Sequence, residues 1–360
     1  MAESSTAKPQ HEVIDVRPEE GFDETAVAAY LAGVLPGTDR PLRVRQFGGG
    51  HANLTYLLQY GEGDDVIEYV LRRPPLGPVA ATSHDMNREY RVLSKLWRKF
   101  PLAPRAYHYC ADDAIIGAEF LIMERRHGIV VRSEIPAEFG GGRNEVANRK
   151  LSEVVIDALV DFHAVDPAAV GLADLGKPEG FLERQVKGWA ARFERAKTAD
   201  VAIADEVREW LIDNRPRSPT ATLVHNDWKL DNMAVAADDP GRCIAVYDWD
   251  MCTLGDPLCD LGTLLGLWSD RGERLAGSNP MPTQSPGFLS RAEATKRYGE
   301  RAGRDVGATP YYLVFGTFKM AVVLQQIYFR YTRGQTQDER FAGLGKLSEA
   351  LFTLAGERRP

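Results

Sequence analysis

The run His225-Asn226-Asp227-Trp228-Lys229-Leu230-Asp231-Asn232 constrains this chain more than any other feature, because its polar side chains follow directly on an apolar, strand-like stretch, Ala221–Val224. A short apolar strand that runs into a polar loop presents that loop at the strand's end. A second such strand, Ile244-Ala245-Val246-Tyr247, runs into Asp248-Trp249-Asp250. Two adjacent strand ends of this kind converge on one point. Asn and Asp also serve as plain turn formers, but this combination suits phosphoryl transfer, which needs a carboxylate to orient an attacking hydroxyl and hard oxygens to hold a metal on phosphates. Asp227 fits the first task, and Asn232 and Asp248 fit the second, around Mg2+.

Upstream, Leu42–Phe47, Asn53–Tyr60 and Val66–Arg73 read as short strands separated by Gly48-Gly49-Gly50 and Gly61-Glu62-Gly63-Asp64-Asp65, the pattern of an antiparallel meander. Pro74, Pro75 and Pro78 end the third strand, since proline cannot donate to a ladder. A helix then runs from Ser83, as N-cap, to about Lys99. Two more strands, Arg105–Cys110 and Ala118–Glu124, complete a small sheet carrying a single helix. After His127-Gly128 the chain turns helical: Leu151, Val154, Val155, Ala158, Leu159 and Phe162 recur with the period of one buried helix face. Leu182–Lys197, Ile203–Asn214, Pro257–Trp268, Pro310–Thr332 and Asp338–Gly356 also read helical, and only Thr222–His225 and Ile244–Trp249 read as strands in this half. The expected class is α+β with two lobes: residues 21–126 with a small antiparallel sheet and one main helix, and residues 127–360 larger and mostly helical. Residues 1–20, polar and without periodicity, are expected to be disordered or loosely attached.

Charge excludes some partners. The chain has 360 residues, 44 Lys and Arg against 51 Asp and Glu, and a net charge of −7 with its basic residues dispersed, so no nucleic-acid surface is expected. Cys110, Cys243, Cys252 and Cys259 form neither a CxxC pair nor zinc-ligand spacing, and no apolar leader precedes them, which points to reduced thiols and a cytoplasmic location. The most apolar segment, Tyr311–Tyr331, carries Lys319, Gln325 and Gln326 in its middle, where a membrane-spanning helix tolerates them least. It reads as a core helix, with no membrane partner. A homodimer is left open.

HxDxKxxN followed by a strand-terminal Asp resembles the catalytic and metal-binding loops of protein-kinase-like enzymes. The continuation Asp248-Trp249-Asp250, then Leu254-Gly255-Asp256-Pro257-Leu258-Cys259-Asp260-Leu261-Gly262, is similar to the aminoglycoside phosphotransferase and choline kinase family. The resemblance implies a bilobal protein-kinase-like fold and an ATP-dependent phosphotransferase that moves the γ-phosphate to a hydroxyl of a small-molecule acceptor. On it, Lys229 joins Asp227 in catalysis by neutralising the transferring phosphate, His225 and Asp260 support the loop, and Asp250 stands behind the metal ligands. His163 is read as a supporting histidine, and Trp228, Trp249 and Trp268 as packing residues.

In the first lobe, Gly48-Gly49-Gly50-His51-Ala52-Asn53 resembles the family's nucleotide loop, with Ala52 where serine is common. Arg72 stands where the family carries its phosphate-binding lysine, with Glu89 as its partner and Arg73 as fallback. Phe120–Glu124 resembles the hinge strand, which implies Met123 lining the adenine pocket and backbone groups of Glu124 and Arg126 meeting the base. The few residues between Asp248 and Pro257 leave no room for a peptide-binding segment. Tyr69-Val70-Leu71-Arg72-Arg73-Pro74-Pro75, Arg88-Glu89-Tyr90 and Trp249-Asp250 are similar to the branch found fused to acyl-CoA dehydrogenases, which implies a 4-hydroxyacyl-CoA acceptor. Aminoglycoside, choline-like and sugar acceptors stay open, and the replaced lysine and serine keep a nucleotide-binding pseudokinase or regulatory module as the alternative.

Overall fold

The computed structural model describes residues 13–49, 53–76, 85–273, 281–336 and 339–360. The chain divides into two compact units, one running to Trp97 and resuming over Ala103–Arg126, the other formed by Arg98–Leu102 and His127–Pro360.

The first unit holds β1 (Val13–Ile14), α1 (Glu24–Leu31), β2 (Leu42–Phe47), β3 (Leu54–Tyr60), β4 (Ile67–Arg73), α2 (Met86–Leu96), β5 (Ala106–Cys110) and β6 (Phe120–Glu124). The strands form one antiparallel sheet in the order β1-β2-β3-β4-β6-β5. The meander β2-β3-β4 stands as the glycine-punctuated runs predict. Strand alternation sorts the side chains by face. Tyr56, Leu58, Tyr60, Tyr69, Leu71, Phe120 and Ile122 make a core with Val27 and Leu31 of α1. Val70 and Arg72 take the opposite parity, and Arg72 meets Glu89 of α2.

Two expectations change here. Residues 13–20 are attached rather than loose: Val13 pairs with Phe47, and the backbone N–H of Arg17 donates to Gln46. The unit also carries a second helix, α1, which begins at Asp23, whose carboxylate accepts the N–H groups of Thr25 and Ala26 at 2.9 and 3.0 Å. At eight residues it is too short for a clear apolar period. The main helix α2 is capped by Asp85, which accepts the N–H of Arg88 at 2.8 Å, and ends at Leu96; Ser83, expected as its cap, lies outside the described residues.

The second unit contains β7 (Ile129–Val130), α3 (Glu145–His163), α4 (Phe181–Ala196), α5 (Ala202–Asp213), β8 (Thr222–Val224), β9 (Met233–Ala236), β10 (Asp239–Val246), β11 (Thr253–Gly255), α6 (Pro257–Gly266), α7 (Arg291–Ala302), α8 (Thr309–Thr332) and α9 (Leu344–Glu357). The predicted face of α3 is buried at Leu151, Val155, Ala158, Leu159 and Phe162. Helix α7 was not expected, although Ser290 and Glu293 form a capping box at its start. Strands β7, β9 and β11 were also missed. They are short: β9 pairs with β10 and β7, and β11 with β8. Helix α9 starts later than Asp338, after a short 3-10 turn over Glu339–Phe341.

The centre of this unit is the crossing of α6 and α8. Gly262 and Gly316 face each other with so little space that a Cβ on Gly316 would lie 2.1 Å from the carbonyl oxygen of Gly262. Only glycine permits backbones this close. Among the described residues α8 is the one helix long and apolar enough to cross a membrane, and it packs against α4, α6 and α9.

Candidate active site

The loop after β8 is fixed by its own residues and by a carboxylate from α6. Asp260 is fully buried, and its two oxygens accept the backbone N–H groups of His225 at 2.6 Å and Asn226 at 2.7 Å. Burial pushes the Asp260 carboxyl up, but the hydrogen bond from His163 and the contacts of His225 outweigh it, so the group is held below its ordinary range. His163 lies 3.2 Å from Asp260 through Nε2 and 2.8 Å from the Tyr298 hydroxyl through Nδ1. The N-cap of α6, Asp256, accepts the N–H of Leu258 at 2.9 Å and the hydroxyl of Tyr312 at 2.6 Å. Thus α6 is anchored at the end that presents Asp260.

His225 reads as a neutral ring with its proton on Nε2. The amide of Asp227 donates to Nδ1 at 3.2 Å, and Nε2 donates to the carbonyl of Tyr247 at 3.0 Å. Burial lowers its pKa, which agrees with that tautomer. The ring packs 4.7 Å from Trp249, and Trp228 and Trp249 both pack on Phe162. These tryptophans are packing residues, as expected.

The polar side chains of the loop meet. Asn232 donates Nδ2 to the Asp227 carbonyl at 2.9 Å and to Asp227 Oδ2 at 2.8 Å. Lys229 Nζ lies 3.0 Å from the same Oδ2 and 3.9 Å from Asp231. Burial opposes the charge on Lys229, but Asp227 and Asp231 together hold its pKa well above the ordinary value. It stays protonated at neutral pH. The neighbouring Asp231 carboxyl is pushed up, chiefly by burial. Asn232 also accepts the N–H of Tyr247 at 2.8 Å through its carbonyl, which places the residue before Asp248 beside the loop. Asp248 has φ +68, a left-handed turn at the strand's end, and Asp250 follows, half-buried.

The expected first-unit residues form a separate group. Arg72 Nε lies 2.9 Å from Glu89 Oε2, with side-chain exposures of 9% and 0%, so the pair read from sequence is in place. Arg73 points to the other face and donates to the carbonyl of Ile116 at 2.8 Å; it is a sheet residue, not the fallback. Gly48 and Gly49 follow β2, and Asn53 is buried just before β3. Gly50, His51 and Ala52 lie outside the described residues. Met123 is buried on β6. Glu124 is tied to its neighbours: its backbone N–H donates to the carbonyl of Arg105 at 2.9 Å, and its carboxylate takes the N–H of Arg105 at 3.1 Å and Arg126 at 3.0 Å. The amide of Glu124 is therefore used within the first unit.

Sequence reasoning missed three contributors to the second-unit site. Tyr298 continues the contact from Asp260 through His163, Asn226 adopts the left-handed φ of +66, and Lys319 donates to its carbonyl. A lone lysine in the apolar run of α8 was the available signal for the last.

A family model described as "Phosphotransferase enzyme family" matches residues 43–287. The chain belongs to that family. Among curated proteins, "Acyl-CoA dehydrogenase family member 11" of Gallus gallus is 30% identical over 94% of the chain and 43% of its own length. "Acyl-CoA dehydrogenase family member 10" of Mus musculus is 29% identical over 94% of the chain and 31% of its own length. The chain therefore spans less than half the length of these relatives. Among solved structures, a protein from Ralstonia eutropha is 27% identical, with a TM-score of 0.78 over 94% of this chain and 98% of that one. Choline kinase from Cryptosporidium parvum shares the fold at 11% identity, with a TM-score of 0.63 over 93% of this chain and 95% of that one.

Proposed function

We propose that the enzyme transfers the γ-phosphate of ATP, bound with Mg2+, to the hydroxyl of a small molecule, and that a 4-hydroxyacyl-CoA is the first acceptor to test. The observation that carries this reading is the arrangement on Asp227: Asn232 and Lys229 both engage Oδ2, which leaves Oδ1 to take a hydroxyl. In the transfer, the acceptor oxygen bonds to the γ-phosphorus while the bond to the β–γ bridging oxygen breaks and its electron pair leaves on ADP. The hydroxyl proton passes to the Asp227 carboxylate. Lys229, held protonated by its two carboxylate neighbours, faces the charge of the transferring group.

The donor set suits a hard cation. Both Nδ2 contacts of Asn232 run to Asp227, so its Oδ1 is the atom that would join the Asp248 carboxylate on magnesium. Such a sparse oxygen set is what magnesium accepts when phosphates and water complete its shell. Among the described residues no group of three or more His, Cys, Asp or Glu could hold a metal by itself. Bound there, magnesium would neutralise phosphate charge. In the first unit, Arg72 with Glu89 takes the place of a lysine on the nucleotide phosphates, since guanidinium can bridge phosphate and carboxylate.

Two observations support the acceptor. The relatives bear acyl-CoA dehydrogenase names. Beside Lys229 and Asp231, a cavity of about 210 Å³ is lined by Leu264, Trp268, Met281 and Met320 together with Arg132, a lining suited to an aliphatic chain with an anionic end. Incubation with ATP, magnesium and a panel of 4-hydroxyacyl-CoAs, choline, aminoglycosides and sugars, read by mass spectrometry, tests it. The expected product is a phosphorylated acyl-CoA; phosphorylation of another panel member alone would replace the acceptor assignment.

A further inference from the structure

Lys319 sits in the middle of α8, buried, with Nζ donating to the carbonyl of Asn226 and 5.4 Å from the Trp189 ring. It reaches the loop because of the helix crossing: Gly316, three residues earlier, lies against Gly262, and that contact brings α8 down beside the chain that leaves β8. A buried amine is costly unless its donors are used, and here the acceptor is the backbone next to Asp227.

The carbonyl of Asn226 and the amide of Asp227 belong to one planar peptide unit. Lys319 holds its oxygen, and His225 Nδ1 accepts its N–H at 3.2 Å. The rest of Asn226 is also tied, by its N–H to Asp260 at 2.7 Å and by Nδ2 to the Met251 carbonyl at 2.9 Å. These contacts keep a non-glycine residue at φ +66, a conformation that persists only where surroundings over-determine it. The tilt of the peptide plane sets the direction of the Asp227 side chain.

We propose that Lys319 is a positioning residue of the transfer reaction, which holds the Asn226–Asp227 peptide from the carbonyl side and so aims the Asp227 carboxylate. Burial pushes the amine's pKa down, and the nearby charges of Asp227 and Asp260 oppose that push while Lys229 adds to it; the N–H donated to Asn226 is present in either protonation state.

The inference rests on Asp227 as the residue that orients the attacking group, and the test separates the two claims. ADP release from magnesium–ATP with water as acceptor is measured for Lys319→Met, Lys319→Arg, Asp227→Ala and the Lys319→Met/Asp227→Ala double variant, with binding of a non-hydrolysable ATP analogue measured alongside. Lys319→Met is expected to bind the analogue as the parent does and to lose about 10- to 100-fold in kcat at unchanged KM for ATP. Lys319→Arg, which keeps a donor, is expected to recover part of that loss. In the Asp227→Ala background the Met substitution is expected to cost nothing further, because both changes act through one carboxylate. Parental kcat in Lys319→Met, or a loss that multiplies with that of Asp227→Ala, overturns the assignment. Should the Met variant not fold, Lys319→Gln, too short to reach the carbonyl, is read in the same two backgrounds by the same criteria. Undiminished ADP release in Asp227→Ala alone would instead overturn the reading of Asp227.

Discussion

Replacing Asp260 by Asn tests how much of the loop's order comes from one carboxylate. The side chain has no solvent exposure and accepts one backbone N–H on each oxygen, at 2.6 and 2.7 Å. Asn keeps the shape but offers one acceptor, and its NH2 group then faces the other N–H. A hydrogen bond to a charged group is worth about 1.5–3 kcal/mol and a neutral one about 0.5–1.5. One bond is lost and the other weakened, so the variant is expected to be about 2–4 kcal/mol less stable, with no discount for solvent screening. Urea unfolding near neutral pH, followed by tryptophan fluorescence, reads the change, since Trp228 and Trp249 pack around His225. A loss below about 0.5 kcal/mol would refute the claim that Asp260 holds the loop, because that is the size expected of an indifferent substitution.

Three further outcomes are expected. Burial holds the pKa of His163 below its ordinary 6.5, so below that pH the unfolded chain binds a proton that the folded chain does not. Its contribution is complete above about 6.5 and falls on acidification by up to ~1.4 kcal/mol per pH unit, which unfolding against pH will show as a slope that flattens in His163→Gln. In Gly316→Ala the new methyl meets the Gly262 carbonyl at 2.1 Å; the helices must part, at a cost of about 1–3 kcal/mol or more in urea unfolding. Glu89→Gln removes the carboxylate that lies 2.9 Å from the buried Arg72 and is expected to destabilise the protein by about 3–5 kcal/mol, whereas thermal and urea midpoints like the parent's would show that the pair contributes little.

The loop after β8 was legible in sequence because its contacts are local: His225, Asp227, Lys229 and Asn232 fall within eight consecutive residues, and the structure joins Asp227 to both of the last two. The Arg72–Glu89 pair was legible because strand parity places Arg72 on the face that meets α2. What was lost depended on distant partners. Tyr298 supports His163 across 135 positions and Lys319 meets Asn226 across 93, and no local pattern couples such residues. The occupied amide of Glu124 was invisible for the same reason, since its acceptor is the carbonyl of Arg105, just before the neighbouring strand β5. Helix α7 had its signal in Ser290 and Glu293, but its polar sequence, with only Ala294 and Tyr298 buried, gave no apolar stripe to read.

The most direct test of the account is phosphate transfer from γ-labelled ATP in the presence of magnesium, compared between the parent chain and Asp227→Ala with the 4-hydroxyacyl-CoA acceptors. Label is expected on the acceptor hydroxyl, with kcat falling by ~10²–10⁴ in the variant while nucleotide binding persists. Equal transfer by both proteins would contradict it.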